Sequence, residues 1–278
     1  MCSFITHTDA DGIISALLFK EYNTYIPFKG FYNLKSFYLT SPLKDDDIGV
    51  DLDLNNIKTI GHHINPFHNE NAENPNNEYL EDFYKQFYSK CPLNTVMILL
   101  NKYNIKITTL RQLALVMFSD GFFTYYNKYT QNCDNWLKKY GLEYLITMYK
   151  EDLEEVQRII DEEIVPIFSP EGKYNSLKVI IKNGELQNKE IIREFSQYVI
   201  DAFGLYVVPT LFEKDYKVQE DYIVKEIPIH NQEEYNKVVE RIKELQEDKI
   251  IVSSAMTFKD LIKVTMTKNE YIYWERPL

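Results

Sequence analysis

Apolar residues along this chain fall into short blocks near the amino terminus and into helical stripes further on, a pattern that predicts an α/β fold. Phe4 and Ile5 close an apolar run of strand type, Gly12 permits a sharp turn, and 13–22 resumes at helical period as an amphipathic helix. A second strand is expected at 36–39. Two more short apolar runs, 48–54 and 57–63, each end in polar residues and are separated by Asn55-Asn56. Strand, helix, strand and strand in this order suits a parallel sheet with helices on its faces.

The region 64–77 is rich in Asn, Pro and His and reads as a loop. Helical stripes follow at 78–89, 93–102, 110–128, 136–149 and 152–165, with Thr108 or Thr109 and Asn135 as caps. Ser169-Pro170-Glu171-Gly172 is the best linker. Beyond it the pattern predicts strands at 177–182, 205–208, 250–253 and 271–274 and helices at 189–203 and 232–246. Two units are therefore expected: a parallel-sheet α/β domain over 1–168, and a second, smaller α/β domain over 173–278.

Composition narrows the setting. With 278 residues, 45% of them hydrophobic, the chain has enough apolar side chains for a sizeable core. No run approaches the roughly eighteen apolar residues of a membrane span, and the start has neither a basic leader nor a small-residue cleavage site. A soluble, cytoplasmic protein with no membrane partner is expected. Cys2, Cys91 and Cys133 are an odd, widely spaced set with no Cys-x-x-Cys pair, which predicts free thiols. The formal charge of −11 disfavours long duplex DNA as a partner, but not a small phosphorylated substrate held at a metal. Asp45-Asp46-Asp47 reads as a solvated acidic loop.

The candidate chemistry begins at His7-Thr8-Asp9-Ala10-Asp11-Gly12, on the first strand-to-helix turn. The carboxyl ends of strands are where open α/β sheets bind ligands. Carboxylate oxygens suit Mg²⁺ or Mn²⁺, and an adjacent imidazole tilts the choice toward Mn²⁺. Asp also caps helices and populates turns, so this motif needs support from elsewhere. Support comes from Asp51 or Asp53 on the next run and from His62 and His63 on the one after, if those strands are neighbours. A carboxylate between two ions about 3.5–4 Å apart, with further carboxylates and imidazoles around them, is what two-metal hydrolysis at phosphorus requires. Asp120, inside an otherwise apolar helix, is costly to bury unless a partner such as a metal offsets it.

Together these residues resemble the DHH phosphoesterases, a family that includes RecJ-type exonucleases, short-oligonucleotide RNases, cyclic-dinucleotide phosphodiesterases and family II pyrophosphatases. His7-Thr8-Asp9-Ala10-Asp11-Gly12 resembles the first motif, Val50-Asp51-Leu52-Asp53 the second, Gly61-His62-His63 the naming triplet, and Asp120-Gly121 the fourth; the match covers about residues 2–128. The resemblance implies Asp9 on one ion, Asp11 on the other, and the second-motif Asp between them. Val50-Asp51 fits that motif's ending, while Asp53 lies nearer the expected strand end. His62 and Asp120 would complete the second ion's shell, His7 would lie beside the first, and His63 would face the substrate phosphate. Asp9, Asp11, His62 and His63 are thus the implied catalytic set.

Three departures stand out. Gly61 replaces the triplet's Asp, which in the family supports the site from outside. Only eleven positions separate Asp51 from His62, fewer than usual. The family's Gly-Gly-His clamp is absent from the carboxyl-terminal sequence. Ser253 and Ser254, with Lys259, Lys263 and Arg276 nearby, are candidates for a reduced substrate clamp, although strand-end hydroxyls and surface charges account for them more simply. By the same logic His68 reads as a solvated loop residue. The aromatic stripe Phe118, Phe122, Phe123, Tyr125 and Tyr126 reads as core, and Tyr271 and Trp274 as anchors of a last strand.

The expected activity is a phosphodiesterase using two Mn²⁺ ions, with Mg²⁺ as the alternative, on short or single-stranded oligonucleotides or small nucleotides. A degenerate scaffold subunit is the second reading. An inorganic pyrophosphatase is the third, disfavoured because 177–278 holds only three Arg.

Overall fold

In the computed structural model the described residues are 2–66, 69–79, 82–169, 177–219, 222–247 and 251–267. The first strand, β1 (Phe4–His7), feeds α1 (Ala10–Tyr22), which is buried from Ala10 to Phe19. A helix apolar on every side needs cover all round. Here the cover is α3 (Thr95–Lys102) and α10 (Lys189–Phe203).

The main sheet is completed by β2 (Phe28–Tyr32), β3 (Phe37–Leu39), β4 (Ile48–Val50), β5 (Lys58–Ile60), β6 (Ala72–Glu73) and β9 (Lys217–Gln219), in the order β6-β5-β4-β1-β2-β3-β9. The first five in that order run parallel; β3 and β9 are antiparallel additions at one edge. The expected α/β class with a parallel, helix-flanked sheet is what the structure has.

Sequence pattern did not reveal β2. Phe28-Lys29-Gly30-Phe31-Tyr32 is buried along its whole length and has no alternation to betray it. Its lysine is buried with it, and the partner is Asp47, which also accepts the N–H groups of Ser3 and Lys44. Asp47 is therefore a structural counter-ion, not part of a solvated acidic loop.

Helices cover the sheet with several breaks that the stripes did not predict. Instead of one helix over 78–89 there is α2 (Pro75–Tyr79), a turn, and one 3₁₀ turn at Phe87–Ser89. The Asp82 carboxylate accepts the N–H groups of Tyr84 and Lys85, a local bond that competes with helix. The stripe 110–128 divides into α4 (Leu110–Phe118) and α5 (Phe122–Lys128), and 136–149 into α6 (Thr130–Lys139) and α7 (Tyr144–Glu151). Asn135 thus lies inside a helix, whereas Thr109 does cap α4, in a capping box with Gln112. After α8 (Leu153–Ile159) the chain widens into a π-helical stretch before α9 (Val165–Phe168).

The single smaller unit expected over 173–278 is divided in its described residues, 177 onward. The short hairpin β7 (Ile181–Lys182) and β8 (Glu185–Leu186) precedes α10, which packs on α1, α4 and α9 in the main core. The separate smaller unit is an antiparallel sheet of β10 (Tyr222–Pro228), β12 (Leu261–Thr267) and β11 (Ile251–Phe258), backed by α11 (Gln232–Glu247). No strand forms at 205–208; the expected strand at 271–274, and most of the expected linker, lie outside the described residues. The free edge of β11 docks on the main unit: Asn55 N–H donates to Val252 O (3.0 Å), and Met256 N–H to Ile64 O (2.8 Å). No helix of the described residues is long and apolar enough to cross a membrane.

Candidate metal centre

Three neighbouring parallel strands, β1, β4 and β5, deliver the centre from their carboxyl ends. The chain leaves β1 toward β2 on one side and returns later to β4 on the other, so a topological switch lies between β1 and β4, where open sheets bind ligands. His7 and Asp9 follow from β1, Asp51 from β4, and His62 and His63 from β5.

Asp9 starts α1: its Oδ1 accepts the Gly12 N–H (3.0 Å) while its Oδ2 lies 2.6 Å from His7 Nδ1. It is a helix cap and a candidate ligand at once. A Cβ at Gly12 would stand 2.6 Å from the His7 carbonyl oxygen, so glycine is what lets α1 begin this close to β1. Asp11 is fully buried, and the first N–H groups of α3 aim at it, from Thr95 (2.9 Å) and Val96 (3.3 Å). Such a helix start favours a negative group.

Asp51 and Asp120 both sit in the left-handed backbone region, at φ 57° and 53°. Asp tolerates this better than most residues, yet strain on the order of 1–3 kcal/mol at each is the kind that clusters at functional sites. The kink at Asp120 has identifiable partners. Asn94 Nδ2 binds the carbonyls of Val116 (2.8 Å) and Ser119 (3.0 Å), and the Ser119 hydroxyl binds Leu115 O, so α4 stops and Asp120 turns toward His62.

The ligand atoms of His7, Asp9 and Asp51 lie within 4.8 Å of one another, as do those of Asp11, His62 and Asp120; Asp51 also falls within that distance of both His62 and His63. Asp51 therefore stands between two ligand groups. Burial, then the charges of Asp120 and Asp9, raises the pKa of Asp11 well above the carboxylate range. Burial, then Asp11, Asp9 and Asp120, does the same to Asp51. For Asp9, burial is outweighed by the charge and hydrogen bond of His7, and the carboxyl is held low. Among the described residues no lysine or arginine pairs with these four carboxylates.

Thr95, a residue the sequence reading passed over, fixes the His62 tautomer. Its hydroxyl donates to Asp51 Oδ1 (2.8 Å) and so accepts from His62 Nδ1–H (3.0 Å). Burial, then the charge of His63, lowers the His62 pKa. A neutral His62 protonated at Nδ1 turns a bare Nε2 toward Asp120 Oδ2 at 2.8 Å, two acceptors facing each other. A divalent cation resolves that contact, and likewise the buried carboxylates of Asp11 and Asp51; Asp120 itself is exposed at the kink and is not buried inside a helix as the apolar stripe implies. The residues present fit a metal pair.

Asp53 has a different task from Asp51, because it belongs to neither ligand group. Its Oδ2 accepts from the His63 N–H (3.2 Å) and meets the His63 Nδ1 (3.1 Å), and its Oδ1 accepts from Asn74 (2.7 Å). A Cβ at Gly61 would lie 2.8 Å from that Oδ2 and 2.9 Å from the Leu52 carbonyl oxygen. The Asp53 carboxylate thus fills the space that a side chain at position 61 would need. Burial works against a charged His63, yet the hydrogen bond and charge of Asp53 outweigh it and raise its pKa to about 9.

An Asp53→Ala variant is therefore expected to bring the His63 pKa down to about 6.5 or below. Gly61→Ala, whose methyl would displace the carboxylate, is expected to do the same. A ring-proton NMR titration reads this, and an unchanged His63 curve in both variants would refute the coupling.

Asn74 and Asn76 also escaped the sequence reading. They bind the carbonyls of His63 and His62, so the Asn-rich stretch after β5 is a scaffold for the histidine pair. Their signal was only their abundance. Ser253 and Ser254, singled out as substrate contacts, are buried and bonded to Tyr32 Oη and Asn65 Oδ1, where they fasten β11 to the main unit. Lys263 pairs with Glu226 on the small sheet; His68, Tyr271, Trp274 and Arg276 lie outside the described residues. Phe122 and Tyr126 are core as expected, but Tyr125 is exposed beside the centre. No protein-family model matches the chain, and no curated protein does.

Proposed function

We propose that this chain is a divalent-metal-dependent phosphoesterase that cleaves phosphodiester bonds in short or single-stranded oligonucleotides or small nucleotides. The observation that carries the reading is the pair of ligand groups, His7–Asp9–Asp51 and Asp11–His62–Asp120, with Asp51 between them. The mixed carboxylate and imidazole set suits Mn²⁺, with Mg²⁺ as the alternative. When bound, the two ions supply Lewis acidity toward phosphoryl oxygens and an acidified water at neutral pH.

The chain's own residues do the rest. His7, Asp9 and Asp51 would hold one ion, and Asp11, His62 and Asp120 the other, with Asp51 shared. Thr95 keeps the His62 tautomer that leaves Nε2 free to ligate. His63, half-exposed at the mouth, presents a cationic N–H toward a phosphoryl oxygen, and Asp53 fixes its orientation. The four-part resemblance to DHH phosphoesterases supports the same assignment, and Asp53 supplies a supporting carboxylate where Gly61 has none.

The test is hydrolysis in Mn²⁺ of single-stranded DNA, a short RNA, a cyclic dinucleotide and pyrophosphate, with Mn²⁺ titration calorimetry in parallel. Turnover of a phosphodiester is expected. Turnover of pyrophosphate alone would reassign the reaction, and no turnover together with no Mn²⁺ binding would make the chain a scaffold.

A further inference from the structure

A second cavity, of about 450 Å³, lies beyond the edge strand β6, between that strand, α2, the last turns of α3 and Tyr140. None of the candidate metal ligands lines it, and its volume suits a ligand of nucleoside size.

One side chain in its wall has hydrogen-bonding capacity left over. Asn77 Nδ2 and Oδ1 are both buried, and among the described residues neither has a hydrogen-bond partner. An amide kept out of water and unpaired is costly, so it calls for a partner. Because no bond ties the side chain down and the residue as a whole is only part-buried, rotation about its side-chain bonds offers the cavity a donor beside an acceptor. The other amide groups of the wall are occupied. Asn69 Nδ2 donates to Leu54 O (2.7 Å) and Ile57 O (2.9 Å), and Asn101 Nδ2 to Tyr140 O (2.8 Å).

Charge selects against a phosphate here. The Glu73 carboxylate engages both Lys58 (3.1 Å) and Lys102 (2.5 Å), one on each oxygen, while Glu70 has no ion pair among the described residues. A wall with a spare carboxylate and no spare cation repels an anion. A carboxylate does suit the hydroxyls of a ribose. Ile98, Pro75 and the Tyr140 ring supply apolar surface for a flat heterocycle. The complement of an amide's donor–acceptor edge is the N6–N7 edge of adenine.

We propose that this cavity is an effector site for an uncharged purine nucleoside, with the Asn77 amide paired to the N6–N7 edge of the base and Glu70 accepting from the ribose hydroxyls. The segment that carries Asn77 joins the site to the metal centre. Asn77 N–H donates to Asn74 O (3.1 Å), Asn74 Nδ2 donates to Asp53 Oδ1 (2.7 Å) and His63 O (2.6 Å), and Asn76 Nδ2 donates to His62 O (2.5 Å). A nucleoside held by Asn77 thus braces the residues that place both histidines. The proposal stands apart from the phosphoesterase reading, because it requires neither ions nor turnover.

The experiment is titration calorimetry of the full metal-free chain with adenosine, together with ring-proton NMR of His62 and His63. Adenosine is expected to bind, purine riboside, which lacks the N6 donor, about tenfold more weakly, and AMP several-fold more weakly. Asn77→Ala is expected to lose about tenfold in adenosine affinity and to bind adenosine and purine riboside alike. Its melting temperature should equal or exceed the parent's, since the change removes an unbonded amide and favours helix. In the parent, adenosine should move the His62 and His63 ring resonances. No adenosine binding, or a preference for adenosine over purine riboside that survives in Asn77→Ala, would overturn the site. Ring shifts that persist in Asn77→Ala at equal saturation would place the nucleoside at the histidines instead, and binding with no ring shift in the parent would overturn the effector role. Hydrolysis enters none of these readings, so a failed hydrolase leaves the nucleoside site standing and a failed nucleoside site leaves the hydrolase standing.

Discussion

Asp11→Asn is expected to lower Mn²⁺-dependent hydrolysis by about a thousandfold or more and to leave the metal-free fold intact. The argument turns on what Asp11 does in each state. With ions present, its carboxylate belongs to the group with His62 and Asp120, and loss of a buried anionic ligand removes most of that group's hold on a cation. A thousandfold is about 4 kcal/mol of transition-state stabilisation, in keeping with the several kcal/mol attributed to a metal's charge. Without ions, Asp11 is a liability. It is fully buried, close to other carboxylates, and pushed toward its protonated form. An Asn there carries no charge and keeps one carbonyl oxygen, which serves the Thr95 N–H (2.9 Å); only the longer bond from Val96 N–H (3.3 Å), made to the other carboxylate oxygen, is given up. The metal-free variant should melt at or above the parent's temperature. Activity within tenfold of the parent would sink the two-group centre, and a lower melting temperature with lost activity would mean that Asp11 is structural. No simple unfolding effect gives both a stabler protein and a dead one.

Much of this centre was readable from the chain because its chemistry is carried by charged residues on short turns. His7, Asp9, Asp11, His62, His63 and Asp120 all meet where the strand order predicts. The choice between Asp51 and Asp53 was not readable. Residues two apart on a strand share a face, but β4 ends at Val50, and the left-handed turn at Asp51 breaks that equivalence. One side chain goes to the ligand groups, the other back to His63. Thr95, Asn74 and Asn76 were invisible for a related reason. Neutral amides and hydroxyls are frequent in any chain, and their role depends on long-range contacts that no local pattern encodes.

The fold shows the same division. Helices 13–22, 189–203 and 232–246 were legible from their apolar stripes, and so were the strands that end in polar residues. β2 was not, since a fully buried strand containing Lys and Gly has no period. The kink at Asp120 was hidden because the stripe 110–128 continues through it; what stops the helix is Asn94, donated from the start of α3. For Ser253 and Ser254 the two readings stayed open, with the simpler one preferred, because a hydroxyl on a strand serves domain docking and phosphate binding equally well; the position of β11 puts both in the docking contact. Tertiary contacts override local pattern away from the centre, at β2 and at the break between α6 and α7, as well as at it, and at Asp51 and Asp120 the override coincides with left-handed backbone.

Stability should carry the second large effect, as a metal dependence that grows with pH. In the metal-free protein Asp11 and Asp51 have pKa values raised well above the roughly 3.9 of an unfolded Asp. Over the interval between those values the folded state holds more protons than the unfolded state, so stability falls as pH rises. His63, raised to about 9, acts in the same direction: its contribution is complete below about 6.5 and is lost as pH climbs through 9. Asp9 has the opposite sign, but its stabilisation is lost only on acidification below about 4 and is constant above that. His62, lowered by burial and by the charge of His63, has the opposite sign too, but its effect is complete above its ordinary value of about 6.5. Between pH 6.5 and 8 the metal-free protein should therefore lose stability. Mn²⁺ binding demands the ionised carboxylates, so its contribution should grow over the same range. At a hundred times the dissociation constant one site adds about 2.7 kcal/mol; two sites would raise the melting temperature by on the order of 10 °C at pH 8, and far less at pH 5. Melting curves in EDTA and in saturating Mn²⁺ at pH 5, 6.5 and 8 decide the matter. A shift of equal size at all three would place the ion on groups other than Asp11 and Asp51, and no shift at pH 8 would leave four carboxylates gathered without a cation to gather them.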